Sequence, residues 1–182
     1  MIISEIKNNL REVLYLADAE TWEEGENWYR VAREWCSVQG NRYGYSWDRV
    51  AAIVAVLSPQ LRWNKNLETA EAVLSNKDTV GILQNSLRKA YAIVDGTSFF
   101  ELVDPKRSPK VYNFYLSILG SPISACIDSH MYRAAYRMKV YPTYRRYQDV
   151  AFVVRRLGRE IGVPATTLQA IIWCTVKSKG GN

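Results

Sequence analysis

Two ionisable side chains, Lys110 and Asp128, stand eighteen residues apart in settings that would prepare them for chemistry. Ser108-Pro-Lys110 reads as a helix start, with serine as cap and proline at the first helical position. Lys110 then falls in the first turn, beside unpaired backbone N–H groups and the positive end of the helix dipole. A cation is disfavoured there, so the amine is expected to give up its proton more easily than a free lysine. That suits a nucleophile, because only a neutral amine attacks carbon; the structural alternative is an exposed lysine that tolerates a small dipole penalty. Asp128 follows the apolar turn Ala125-Cys-Ile127 and precedes a helical stretch, the place of an N-cap. Its carboxylate either caps only, or also steadies a developing positive charge and manages protons for Lys110. His130 packs or bonds backbone in the structural reading. Arg133 and Arg137, one helical turn apart, can hold phosphates.

Helices must position these groups, because the apolar spacing is helical nearly throughout. Ile2, Ile3, Ile6, Leu10, Val13, Leu14 and Ala17 trace one helix face. Thr21-Trp-Glu-Glu24 has the form of a capping box and opens a second helix expected to reach about Val38, before a turn at Gly40–Gly44. Ser46 caps a third over 47–57, whose centre is apolar on every side and so belongs in a core; Pro59 ends it. Further helices are expected over 65–75, 79–93, 98–102, 109–119, 129–138, 147–161 and 165–177. Gly96, Pro105, Gly120, Pro122, Pro142, Gly162 and Pro164 punctuate the joints. Strand-length alternation is missing, so the expectation is an all-α chain of nine or ten helices.

Composition narrows the function classes. At 182 residues and 48% apolar content, the chain suits one compact domain or two small lobes sharing a core. The longest apolar run, eight residues from Val50 to Leu57, is too short to cross a bilayer. The opening residues lack the basic-then-apolar order of a secretion signal, so a reduced cytoplasmic setting is expected. Cys36, Cys126 and Cys174 are far apart and His130 is the only histidine, which argues against a disulfide framework, a zinc site or a four-cysteine cluster. No metal and no cofactor are expected. The net charge of +6 is uneven: residues 1–90 hold 11 Lys+Arg against 12 Asp+Glu, and residues 91–182 hold 13 against 6. A basic second half fits a polyanionic partner or a solvated surface equally well.

The spacing of the two site residues resembles a known family. Lys110-Val-Tyr-Asn-Phe-Tyr-Leu followed by Ile127-Asp-Ser-His-Met-Tyr-Arg133 is similar to the core of the helix-hairpin-helix (HhH-GPD) DNA glycosylases of the endonuclease III type. In that family a nucleophilic lysine opens one helix and an aspartate in a V-D-T-H-x-x-R segment follows 18 residues on. Ala55-Val-Leu-Ser-Pro-Gln60, with Asn66 and Ala70, looks like the family's L-S-x-Q helix end, and Leu87-Arg-Lys-Ala90 like the helix before its hairpin. The resemblance spans about residues 47–140 of a single domain over 1–182. It implies a two-lobed, all-α glycosylase-like fold. The iron–sulfur tail of some members has no counterpart. A small, phage-type divergent member is the best description.

The resemblance also implies roles. Asp128 would stabilise the sugar's positive character. Lys110 would attack the anomeric carbon to give a Schiff base. Gln60 would fill the space left by an extruded base. The expected activity is a DNA glycosylase for a damaged or modified base, with AP-lyase activity left open. Trp63, Asn66 and His130 are candidates for the base pocket; Trp63 either stacks on a base or plugs a helix–helix gap. Arg62, Lys106, Arg107, Arg133 and Arg137 are candidates for phosphates. Where the family hairpin reads L-P-G-V-G, this chain has Val103-Asp-Pro-Lys-Arg-Ser-Pro109 without glycine, so its phosphate grip is expected to use the Lys106 and Arg107 side chains. The stretch from Tyr132 to Tyr147 interleaves five tyrosines with basic residues, as a nucleic-acid groove would. Gln169 and Trp173, four apart, read as core and helix-docking groups. The expected partner is DNA, with a monomer favoured and a bacterial or phage-infected host cytoplasm as the setting. Two alternatives remain: a DNA base-modifying enzyme on the same scaffold, such as a hydroxymethyluracil kinase-like protein, and a non-catalytic DNA-binding module. The kinase would need nucleotide and magnesium, and no GxxxxGK[ST] loop is present to hold them.

Overall fold

The computed structural model describes residues 3–179, and over these the chain is helical, with no strand among the described residues. Ten helices follow in order: α1 (Ile3–Tyr15), α2 (Ala19–Tyr43), α3 (Trp47–Leu57), α4 (Trp63–Leu74), α5 (Gln84–Val94), α6 (Phe99–Leu102), α7 (Pro109–Ile118), α8 (Ser129–Tyr136), α9 (Tyr144–Ile161) and α10 (Ala165–Lys179). The all-α expectation holds. Ile2, first in the apolar pattern of α1, lies outside the described residues.

Several boundaries differ from the sequence expectation for local reasons. Asp18, rather than Thr21, caps α2: its Oδ1 accepts the Thr21 N–H at 2.9 Å, and Thr21 is buried in the first turn. The helix does not stop near Val38 but runs through Gly40 to Tyr43, and a Cβ at that glycine would sit 2.6 Å from the Tyr45 carbonyl. Gly40 serves a close approach, and Gly44, at φ +77°, makes the turn. α5 starts five residues later than the pattern of 79–93 suggests, since Gly81 at φ +74° interrupts it. α9 starts earlier than 147 because the Thr143 hydroxyl accepts from the Arg146 N–H at 3.2 Å and caps it.

The helices form two compact units. One contains Val31–Leu119, and the other combines the described residues up to Arg30 with those from Gly120 onward. In the Val31–Leu119 unit, α3 packs against α4, α5 and α7. Every residue from Val50 through Leu57 is buried, the all-round burial its composition requires. Phe99 and Tyr115 stack with ring centroids 4.0 Å apart.

In the other unit α1, α8, α9 and α10 pack on one another around Ile6, Leu10, Met131, Val150, Val154, Leu157, Leu168 and Ile172. Tyr147 and Val150, Val154, Leu157 follow the spacing of one buried face of α9. The Tyr147 hydroxyl donates to the Ala125 carbonyl at 2.6 Å and accepts the Ile127 N–H at 3.4 Å. This buried phenol, its pKa pushed far up by desolvation, pins the turn that leads into Asp128.

Gly25 lies in the first turns of α2, where an added Cβ would sit 2.5 Å from Ile171 Cα. Gly25→Ala is therefore expected to cost about 1–3 kcal/mol through overpacking against backbone that cannot yield. Gly44→Ala meets open space and loses only roughly 1 kcal/mol to its left-handed φ. Urea unfolding midpoints of the two variants check the order.

Candidate functional site

In the Val31–Leu119 unit the site begins where α3 ends. Ser58 is the C-cap of that helix and is buried; Pro59 prevents a further helical turn. Gln60 then adopts φ +65° with its side chain exposed. A glutamine gains nothing locally from the left-handed region, which costs a non-glycine residue on the order of 1–2 kcal/mol. The residue that the resemblance assigns to probing DNA is thus both exposed and in a strained backbone state. The Ser58 carbonyl accepts the Leu61 N–H at 3.4 Å and the Lys110 ammonium at 3.4 Å. Lys110 is half-buried in the first turn of α7, after Pro109 at the first helical position. It therefore stands at the positive end of its own helix and at the negative, carbonyl end of α3. Helical spacing anticipates the first of these neighbours and not the second.

Around this pair the other candidates separate. Asn66 is 2% exposed, and its amide donates to the Val54 carbonyl at 3.1 Å, so it closes the end of α3 from inside. Asn66 Oδ1 and Ser58 Oγ are buried without a hydrogen-bond partner among the described residues. Trp63 opens α4 half-buried, its ring edge-on to Phe114 at 6.3 Å. Arg62, immediately before it, is exposed.

The segment that replaces the glycine hairpin has its own solution. Asp104 Oδ1 accepts the N–H groups of Lys106 at 2.9 Å and Arg107 at 2.7 Å, and its carbonyl takes the Ser108 N–H at 2.9 Å. Amides that a glycine-rich turn could offer to a phosphate are here committed to the chain's own carboxylate. The Lys106 and Arg107 side chains remain exposed. Chiefly the Arg107 amide, and then that of Lys106, hold the Asp104 carboxyl below the usual carboxylate range.

Asp128 belongs to the other unit. It caps α8 in extended geometry, with Oδ1 accepting the Met131 N–H at 3.0 Å. Its second oxygen, Oδ2, accepts the indole N–H of Trp173 at 2.9 Å. His130 lies edge-on to that indole at 6.2 Å, Trp28 edge-on at 5.6 Å, and the Lys177 ammonium stands 4.4 Å from its centroid. Trp173, expected to be a docking group only, is in direct contact with a candidate catalytic residue. Nothing in the sequence signals this, because the two are 45 positions apart. Gln169 does match its expectation: its Oε1 accepts from the buried Tyr29 hydroxyl at 2.7 Å.

The basic–aromatic stretch divides as well. Tyr132, Tyr136 and Tyr147 are core residues, whereas Tyr141 is 80% and Tyr144 43% exposed. Arg133 is exposed on α8. Arg137 is not on the helix with it: α8 ends at Tyr136, and Arg137 caps it at φ +59° while pairing with Glu12. The i, i+4 phosphate pair expected from the spacing is therefore not formed as a helical pair.

Among the described residues no cluster of three His, Cys, Asp or Glu could hold a metal ion, and no helix is long and apolar enough to cross a membrane. A family model described as a family of unknown function (DUF7178) matches residues 2–180. No curated protein and no solved structure matches the chain.

Two expectations follow from these local geometries. Gln60→Gly removes the left-handed penalty and is expected to raise stability by a few tenths to about 1 kcal/mol, read as a higher urea midpoint. Because the folded state holds Asp104 below its unfolded value of about 3.9, its contribution is present above that pH and is lost as pH falls through the folded value. The amide proton shifts of Lys106 and Arg107 should accordingly titrate together with a midpoint below that of a free aspartate, and Asp104→Asn should abolish that titration.

Proposed function

We propose that this chain, which belongs to the DUF7178 family, acts on DNA as a glycosylase that uses Lys110 as an amine nucleophile and Asp128 as its carboxylate. The observation that carries the reading is the meeting, across 52 positions, of the Lys110 ammonium with the Ser58 carbonyl, two residues before the strained and exposed Gln60. The contact brings the lysine that the resemblance makes the nucleophile to the helix end that carries Gln60.

In this reading Asp128 stabilises positive charge as the bond between the base and C1′ of the sugar breaks, and the departing base keeps the electron pair and takes up a proton. The neutral Lys110 amine forms the new bond to C1′. Ring opening then gives a Schiff base, from which elimination breaks the 3′ C–O bond and the strand. Exposed Arg62, Lys106, Arg107 and Arg133 supply phosphate contacts through their side chains. Such contacts would make binding fall steeply with salt.

Borohydride trapping tests the reading. Wild-type protein incubated with abasic-site DNA and borohydride is expected to give a covalent crosslink that Lys110→Ala abolishes. Base release is then followed on oligonucleotides carrying uracil, 5-hydroxymethyluracil, 8-oxoguanine or thymine glycol. Absence of both crosslink and base release in the wild type overturns the proposal. ATP-dependent phosphate transfer to the 5-hydroxymethyluracil strand would replace it with the kinase-like alternative. Salt-sensitive binding without either reaction would replace it with a binding module.

A further inference from the structure

The Asp128 carboxylate is held from two directions. The Met131 N–H fixes Oδ1 at 3.0 Å, as in any helix cap of this kind, and a cap alone needs only one oxygen. The second oxygen is fixed by the Trp173 indole N–H at 2.9 Å, delivered from α10. Trp173 is itself confined. Trp28 and His130 meet its ring edge-on at 5.6 and 6.2 Å, and Lys177 lies 4.4 Å from its centroid. Its neighbours Ile171, Ile172 and Cys174 are buried, which anchors this turn of α10.

We infer that Trp173 is a positioning residue that sets the orientation of the Asp128 carboxylate for reaction. The inference rests on the reading of Asp128 as the group that stabilises positive charge. Two donors on two oxygens leave the carboxylate no freedom to turn about its terminal torsion. The chemical nature of the second donor matters as much. An arginine or lysine in that place would hold the carboxylate but cancel its charge. The indole N–H is neutral, so it orients the group and leaves the negative charge available to a cationic transition state. Placement errors of a fraction of an ångström at such a group are costly in rate while leaving substrate affinity alone.

The test compares Trp173→Phe, which removes the donor, with Trp173→His, whose Nε2–H can occupy the position of the indole N–H. Single-turnover base release is measured on the oligonucleotide of the panel that the wild type processes fastest, alongside its Kd and each variant's thermal midpoint. Trp173→Phe is expected to slow release 10–100-fold with Kd changed less than about twofold, and Trp173→His to recover most of the rate. Equal losses in the Phe and His variants, or undiminished release by Trp173→Phe, overturn the positioning role alone. A wild type that releases no base overturns the glycosylase reading and this role with it. The indole N–H resonance of Trp173 separates these cases from a mere failure of contact: it should be protected from exchange in the wild type and lose protection in Asp128→Ala.

Discussion

The last turn of α3 is buried with the rest of that helix, and its carbonyl groups must therefore find donors inside the protein. Much of the Val31–Leu119 unit near the site follows from this. Asn66 reaches from α4 to the Val54 carbonyl, and Lys110 reaches from α7 to that of Ser58. Water cannot serve these groups cheaply, so side chains from two other helices are drawn to one helix end. The lysine that a nucleophilic reading singles out is thereby also a member of the folding solution. The same helix end, closed by Pro59, throws Gln60 into the left-handed region with its side chain outward.

The other unit solves the opposite problem, the start of a helix. The amide groups at the beginning of α8 need an acceptor, and Asp128 supplies it. Tyr147 steadies the preceding turn through the Ala125 carbonyl and the Ile127 N–H, so the cap stands on a rigid base. Only the second carboxylate oxygen exceeds what capping needs, and Trp173 takes it. Capping thus occupies one oxygen of Asp128 and the indole N–H the other.

The glycine-less segment before α7 shows how a local departure is accommodated. A turn with two free amides invites an anion. Here Asp104 is that anion, and the turn is complete without a ligand. Any phosphate contact made nearby must come from the Lys106 and Arg107 side chains, a looser and more salt-sensitive grip than one built from backbone.

Local signals were legible in the sequence wherever the physics is local. Helical period, the Pro109 start, the Asp128 cap and the buried character of α3 all follow from residues within one or two turns of each other. The boundaries missed at Thr21, Gly40 and Gly81 each depended on a neighbour or a backbone angle that residue type alone leaves open. Which tyrosines of the 132–147 stretch face the core was decided by packing, since alternating basic and aromatic residues suit a groove and an amphipathic helix alike. The Ser58–Lys110 and Asp128–Trp173 contacts were decided only by tertiary structure, across 52 and 45 positions. The reason is geometric: spacing along a helix determines which side chains share its face, but the partner that meets that face comes from elsewhere in the chain.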